Sequence, residues 1–221
     1  MKPESPFKAV LFDLDGTLCD SLPLFVETYR RTFARMNLTI PEKEIPFSCF
    51  GKTESEICAG IGRPELAKEF AKSYFSELRS VLIPKVRPTP GAVQILEFLR
   101  ARKIKLAIVS MAYRWYVDAI LAKLGISESF GAIVGKEDVR EQKPAPDAAI
   151  LACGKLGVSP SEALVVGDTA SDILMGNSAG CCMTALYHPA SYARFFRKTE
   201  LLAAKPAHCF GKLSELRGFF S

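Results

Sequence analysis

Two carboxylates two residues apart, Asp13 and Asp15, follow the apolar run Ala9-Val10-Leu11-Phe12, and two more, Asp168 and Asp172, follow a second run, Ala163-Leu164-Val165-Val166. Carboxylates at such positions can hold a hard cation through oxygen, attack an electrophile or pass protons. Either pair alone reads as an Asp-capped turn or helix start. That reading does not account for two acidic pairs, each behind a buried strand. An EF-hand also opens Asp-x-Asp, but Leu18 stands where the calcium loop needs Gly, and Leu24 where it needs a bidentate Glu. Lys143, in Gln142-Lys143-Pro144-Ala145-Pro146-Asp147, adds a cation. Pro144 biases Lys143 toward extended backbone and delays the following helix, so the ammonium can project toward strand ends.

The elements that must position these groups follow from periodicity. Continuous apolar runs of four, bounded by polar turns, suit central strands of a parallel sheet covered on both faces, with ligands gathering at their carboxyl ends. A helix is expected over 21–36, a second through Ile61 opened by the Thr53/Glu56 capping box, and a third from Pro64 to about Leu82. Pro84, Pro88, Pro90 and Gly91 mark a linker. Helices and strands then alternate: helix 91–102, strand 106–109, helix 115–124, strand 132–134, a helix capped by Asp147 to Leu156, strand 163–166, a helix beginning at Ile173, and a last strand 183–186. The apolar and basic stretch 192–202 is expected to be a surface helix packed on the core rather than a membrane contact.

The run Asp13 to Ser21, Asp-x-Asp-Gly-Thr-Leu-x-Asp-Ser, resembles motif I of the haloacid dehalogenase-like hydrolases. The resemblance implies an α/β, Rossmann-like three-layer core with a central parallel sheet, formed by residues 1–19 and 86–221, and an inserted α-helical cap, residues 20–85, with hinges at 19–23 and 83–90. It implies Asp13 as nucleophile, forming an aspartyl-phosphate, and Asp15 as the acid and base. Gly167 to Asp172 resembles motif IV, implying Mg2+ bound by Asp13, Asp168 and the main-chain carbonyl of Asp15, with Asp172 as a ligand or just outside. Ser110, ending strand 106–109, takes the place of the motif II phosphate-binding residue, with the backbone N–H of Met111. Many members continue with Asn and a basic residue; this chain continues Met111-Ala112-Tyr113-Arg114, making Arg114 the candidate basic group. Lys143 matches motif III. Gly16 and Thr17 shape the turn after the nucleophile. In the cap, Phe50-Gly51-Lys52-Thr53 resembles the substrate-specificity loop. There Lys52 either neutralises a substrate anion or is ordinary exposed lysine.

Asp15 discriminates within the family, because dehalogenases and phosphonate-cleaving members lack an acid at that position. β-Phosphoglucomutase-like members usually carry a His in the first cap helix, where this chain offers Phe25. The expected activity is therefore a phosphoglycolate phosphatase-like hydrolysis of a small anionic phosphomonoester, phosphoglycolate being the leading substrate. A sugar-phosphate phosphatase or mutase, and a catalytically idle phosphate-binding module, stand as alternatives.

Composition excludes other classes. The formal charge of +5 is scattered, with no basic block for nucleic acid, and suits an anionic metabolite. Seven cysteines without a Cys-x-x-Cys indicate a reducing compartment and no zinc site, and His188 and His208 are too far apart for a helical pair. Gly131 to Lys136 is one residue short of a Walker A loop, and Glu137 replaces its Ser or Thr. Residues 1–6 carry no apolar signal region, and no run approaches membrane-spanning length. A cytoplasmic enzyme, monomer or homodimer, is expected. Oxidation of Cys19, beside the first acidic pair, is expected to affect activity.

Overall fold

A computed structural model describes residues 6–220, so residues 1–5, where no signal region is expected, lie outside the described residues. The chain forms two compact units, one of residues up to Cys19 together with those from Pro88 on, the other of residues 20–87.

The first unit is built on six parallel strands: β1 (Ala9–Phe12), β2 (Lys105–Val109), β3 (Ala132–Val134), β4 (Ala163–Gly167), β5 (Met183–Tyr187) and β6 (His208–Phe210), in the order β3-β2-β1-β4-β5-β6. All four residues of β1 are fully buried. Successive strand residues point to opposite faces, so a strand with no exposed residue is covered on both sides, as its unbroken apolar run requires. On one face Ala9, Leu11, Ala107, Val109 and Val165 pack with Ala148, Ala149, Ala152 and Cys153 of the helix Asp147–Leu156. Phe12 pairs with Ile108 on one side and Val166 on the other, so the carboxyl ends of β1, β2 and β4 lie together. The strand order reverses direction between β1 and β4, which opens a crevice there.

The second unit contains α1 (Leu22–Arg35), α2 (Ile45–Cys49), α3 (Glu54–Gly60), α4 (Ala67–Glu77), a π-helical turn (Leu78–Leu82) and α5 (Ile83–Lys85). Aromatic packing joins α1 to α4: Tyr29 stacks on Tyr74 at 4.6 Å and Phe33 meets Phe70 at 5.2 Å. The core helices are α6 (Ala92–Ala101), α7 (Arg114–Leu124), α8 (Asp147–Leu156), α9 (Ala170–Ser178) and α10 (Lys198–Ala203). Among the described residues no helix is long and apolar enough to cross a membrane. All seven cysteines carry free thiols.

Four details differ from the periodicity. Helix α9 begins at Ala170 rather than Ile173, because Thr169 and Asp172 form a capping box that starts it before the first large apolar residue. Asp147 is the first residue of α8, not its cap; Pro146 occupies the cap position and no side chain bonds there. The stretch 192–202 is no single helix. It is a 3-10 turn, Ala190–Arg194, followed by α10, with Tyr192, Phe195 and Leu201 each 4% exposed. Strand β6 extends the sheet beyond the expected last strand 183–186; it is three residues, of which His208 is exposed, too short for alternation to register.

Candidate active site

The first acidic pair leaves the sheet at the end of β1, where the Asp13 N–H donates to Val166 O at 2.9 Å, continuing the ladder onto β4. Asp168 follows β4 directly, so the two carboxylates flank the crevice because their strands are neighbours. Asp172 lies on the first turn of α9. Oxygens of Asp13, Asp168 and Asp172 come within 4.8 Å of one another.

Lys143 holds this group together. Its Nζ donates to Asp13 Oδ1 at 2.7 Å, to Asp172 Oδ1 at 2.5 Å and to Val109 O at the end of β2, at 2.6 Å. Three donors, three acceptors and a side chain 3% exposed leave it no freedom to rotate into solvent. Burial works against its charge, but the carboxylates of Asp13 and Asp172 outweigh that, and its pKa lies above the ordinary lysine value. Asp172 is held at both ends, since its Oδ2 accepts from Thr169 N–H at 3.1 Å and Thr169 Oγ1 at 2.6 Å.

Two of the carboxyls are raised as well, which for an acid favours the neutral form. Burial raises Asp13 to about 7, with Lys143 opposing and Asp172 and Asp15 reinforcing the rise. Burial, then the charges of Asp13 and Asp172, hold Asp168 well above the usual carboxylate range. The single ammonium of Lys143 does not offset desolvation and charge repulsion at Asp13 and Asp168. Asp168 Oδ1 accepts from Thr17 Oγ1 at 3.0 Å, whereas Oδ2 is buried with no hydrogen-bond partner. A buried carboxylate oxygen without a donor, facing two further carboxylates, is what a hard divalent cation would satisfy. The residues fit such an ion.

The turn after Asp13 is shaped by contact with the Asp168 carboxylate. Gly16 has φ +81°, and a Cβ there would collide with Asp168; at Gly167 a Cβ would collide with Asp172. Thr17 is therefore more than a turn residue, because its hydroxyl orients Asp168. Tyr192 Oη donates to Gly16 O at 2.8 Å and fixes the peptide beside it. We expect Gly16→Ala to cost about 1–3 kcal/mol of stability through its backbone conformation alone and to weaken metal binding by displacing Asp168. Urea unfolding and metal titration would check both, and a variant matching the parent in each would refute the steric account.

Asp15 stands apart from the acidic group. Its Oδ1 accepts from Tyr116 Oη at 2.8 Å and lies 3.5 Å from Cys19 Sγ. Tyr116, on α7, carries no sequence mark of this role, because its spacing makes it one more core aromatic. Cys19 is fully buried, which argues against ready attack by a solvent oxidant. Ser110 follows β2, is 6% exposed, and its Oγ accepts from Ala112 N–H at 3.1 Å, so its own O–H is left to donate. Met111 is half-buried in the same turn. Arg114 is not brought to the carboxylates: its Nε pairs with Asp118 at 2.8 Å and its N–H donates to Glu137. Lys52 and Thr53 belong to the helical unit, where Thr53 caps α3 through reciprocal bonds with Glu56 and Lys52 is exposed.

Residues 10–186 match the family model described as haloacid dehalogenase-like hydrolase. Among curated proteins the chain is similar to a phosphoglycolate phosphatase of Haemophilus influenzae, 29% identical over 203 residues that cover 84% of this chain and 88% of the relative. It is also similar to hexitol phosphatase A of Escherichia coli, 34% identical over 193 residues covering 85% and 86%. Among solved structures, one described as a predicted phosphoglycolate phosphatase from Haemophilus somnus is 25% identical, with a TM-score of 0.85 over 98% of this chain and 99% of the other.

Proposed function

The chain belongs to the haloacid dehalogenase-like hydrolases, and from this membership we propose that it is a Mg2+-dependent phosphatase hydrolysing a small anionic phosphomonoester, phosphoglycolate in first place, through an aspartyl-phosphate. The observation that carries the reading is the buried ammonium of Lys143 bridging Asp13 and Asp172 beside the unpartnered oxygen of Asp168. It combines a nucleophile, a fixed cation and an unfilled oxygen ligand in one crevice.

Asp13 attacks phosphorus as the ester P–O bond breaks, and Asp15 gives a proton to the departing oxygen. Asp15 then takes a proton from water, whose oxygen attacks phosphorus and releases inorganic phosphate and Asp13. Lys143 keeps Asp13 oriented and offsets charge on the transferring group, while the Ser110 hydroxyl and the Met111 N–H bind its oxygens. Asp13, Asp168 and the Asp15 carbonyl would hold Mg2+, with Asp172, whose two oxygens are already engaged, at its outer edge. When bound, Mg2+ supplies the charge neutralisation that lets an anionic nucleophile approach an anionic ester.

Mg2+-stimulated phosphate release from p-nitrophenyl phosphate tests the reading. No turnover with any phosphate ester and metal would leave a phosphate-binding module instead. A panel compared by kcat/KM decides the substrate: phosphoglycolate is expected to lead. A lead for hexitol or hexose phosphates would favour the second reading, supported by the 34% identity to hexitol phosphatase A.

A further inference from the structure

We propose that Tyr116 is a positioning residue for the acid–base step, holding the Asp15 carboxyl by one oxygen so that the other exchanges protons with the leaving group and with water. The inference rests on the phosphatase reading above and deepens it. Tyr116 is 2% exposed and lies on α7, while Asp15 lies in the turn after β1; the two are 101 residues apart, and Tyr116 Oη donates to Asp15 Oδ1 at 2.8 Å. A phenol this deeply buried keeps its proton in a hydrogen bond. With Oδ1 accepting from the phenol, the proton exchanged in the reaction is assigned to Oδ2. Cys19 Sγ lies on the same side, 3.5 Å from the same oxygen and 3.3 Å from Leu14 O.

An acid that serves the leaving oxygen and then the attacking water must present one oxygen to one place in both half-reactions. In the first, the Asp13–phosphorus bond forms, the ester P–O bond breaks, and the Oδ2 proton passes to the leaving oxygen. In the second, a water proton returns to Oδ2, the water oxygen bonds phosphorus, and the Asp13–phosphorus bond breaks. Tyr116 keeps its proton throughout and touches neither substrate nor phosphorus, so it acts only through Asp15.

The leaving group provides the test, because kcat/KM reports the steps through phosphorylation of Asp13. An alkyl phosphate needs a proton at its departing oxygen, whereas p-nitrophenolate leaves with little help. In Tyr116→Phe, which keeps the ring, kcat/KM for an alkyl phosphate is expected to fall about tenfold relative to that for p-nitrophenyl phosphate, with KM little changed. A melting curve on the same sample, and Tyr192→Phe, which removes the phenol on Gly16 O instead, serve as comparisons. Equal losses on both esters in Tyr116→Phe, or no loss on either, overturn the positioning role and leave the phosphatase reading intact. Absence of turnover by the parent protein on both esters removes both.

Discussion

Asp13→Asn is expected to lower kcat for phosphate release by at least about 10⁴-fold while the protein remains folded. The amide has the shape of the carboxylate but no nucleophilic oxygen, so the covalent step is lost without loss of packing. Its oxygen can still accept from Lys143, which donates to Asp13 Oδ1 at 2.7 Å. The structural cost is small for a second reason. Burial already raises the Asp13 carboxyl to about 7, so near neutrality much of the metal-free population carries a neutral group there. Steady-state rates with a chromogenic ester, set beside a thermal melt, would check this. A folded variant retaining parental turnover would remove Asp13 as nucleophile.

Mg2+ is expected to stabilise the protein much more above neutrality than in mild acid. Asp13 is raised from 3.8 to about 7 and Asp168 is raised as well, so the folded state binds more protons than the unfolded state across that interval. Stability of the metal-free protein therefore falls as pH rises through the window from about 4 to about 7, as the folded carboxyls are forced to ionise. The metal needs the ionised forms, so its affinity rises over the same window. At about one hundred times its dissociation constant the ion adds about 2.7 kcal/mol, a rise of roughly 5–10 °C in Tm for a chain of this size. Melting curves with chelator and with Mg2+, at about pH 5 and about pH 8, would show it. Asp168→Asn should abolish the increment and be at least as stable as the metal-free parent at the higher pH, because it removes an unpaired buried charge. An equal Mg2+ increment at both pH values, or a parental response in Asp168→Asn, would defeat the account.

The architecture was largely legible because each central strand carries an unbroken apolar run and many helices begin or end at Pro, Gly or a capping pair, as at Gly91 before α6, Gly125 after α7 and Thr53 with Glu56 at α3. Ala9-Val10-Leu11-Phe12 announces a doubly covered strand by itself. The local signal is weak at three-residue β6 and at the capping box of α9, where small and polar residues precede the first large apolar one, so periodicity alone marks neither.

The chain's own order of residues determined the acidic strand ends, the lysine before Pro144 and their resemblance to one family, since each is a short contiguous pattern. Their grouping depends on strand order: Asp13 and Asp168 are neighbours only because β4 pairs with β1. Thr17 on Asp168, 151 residues away, and Tyr116 on Asp15, 101 residues away, were decided by tertiary packing alone. A threonine in a turn and a tyrosine on an apolar helix face carry no local mark of the carboxylate they meet. Helical periodicity reports which face is buried, not which polar atom the far end of a buried side chain will reach.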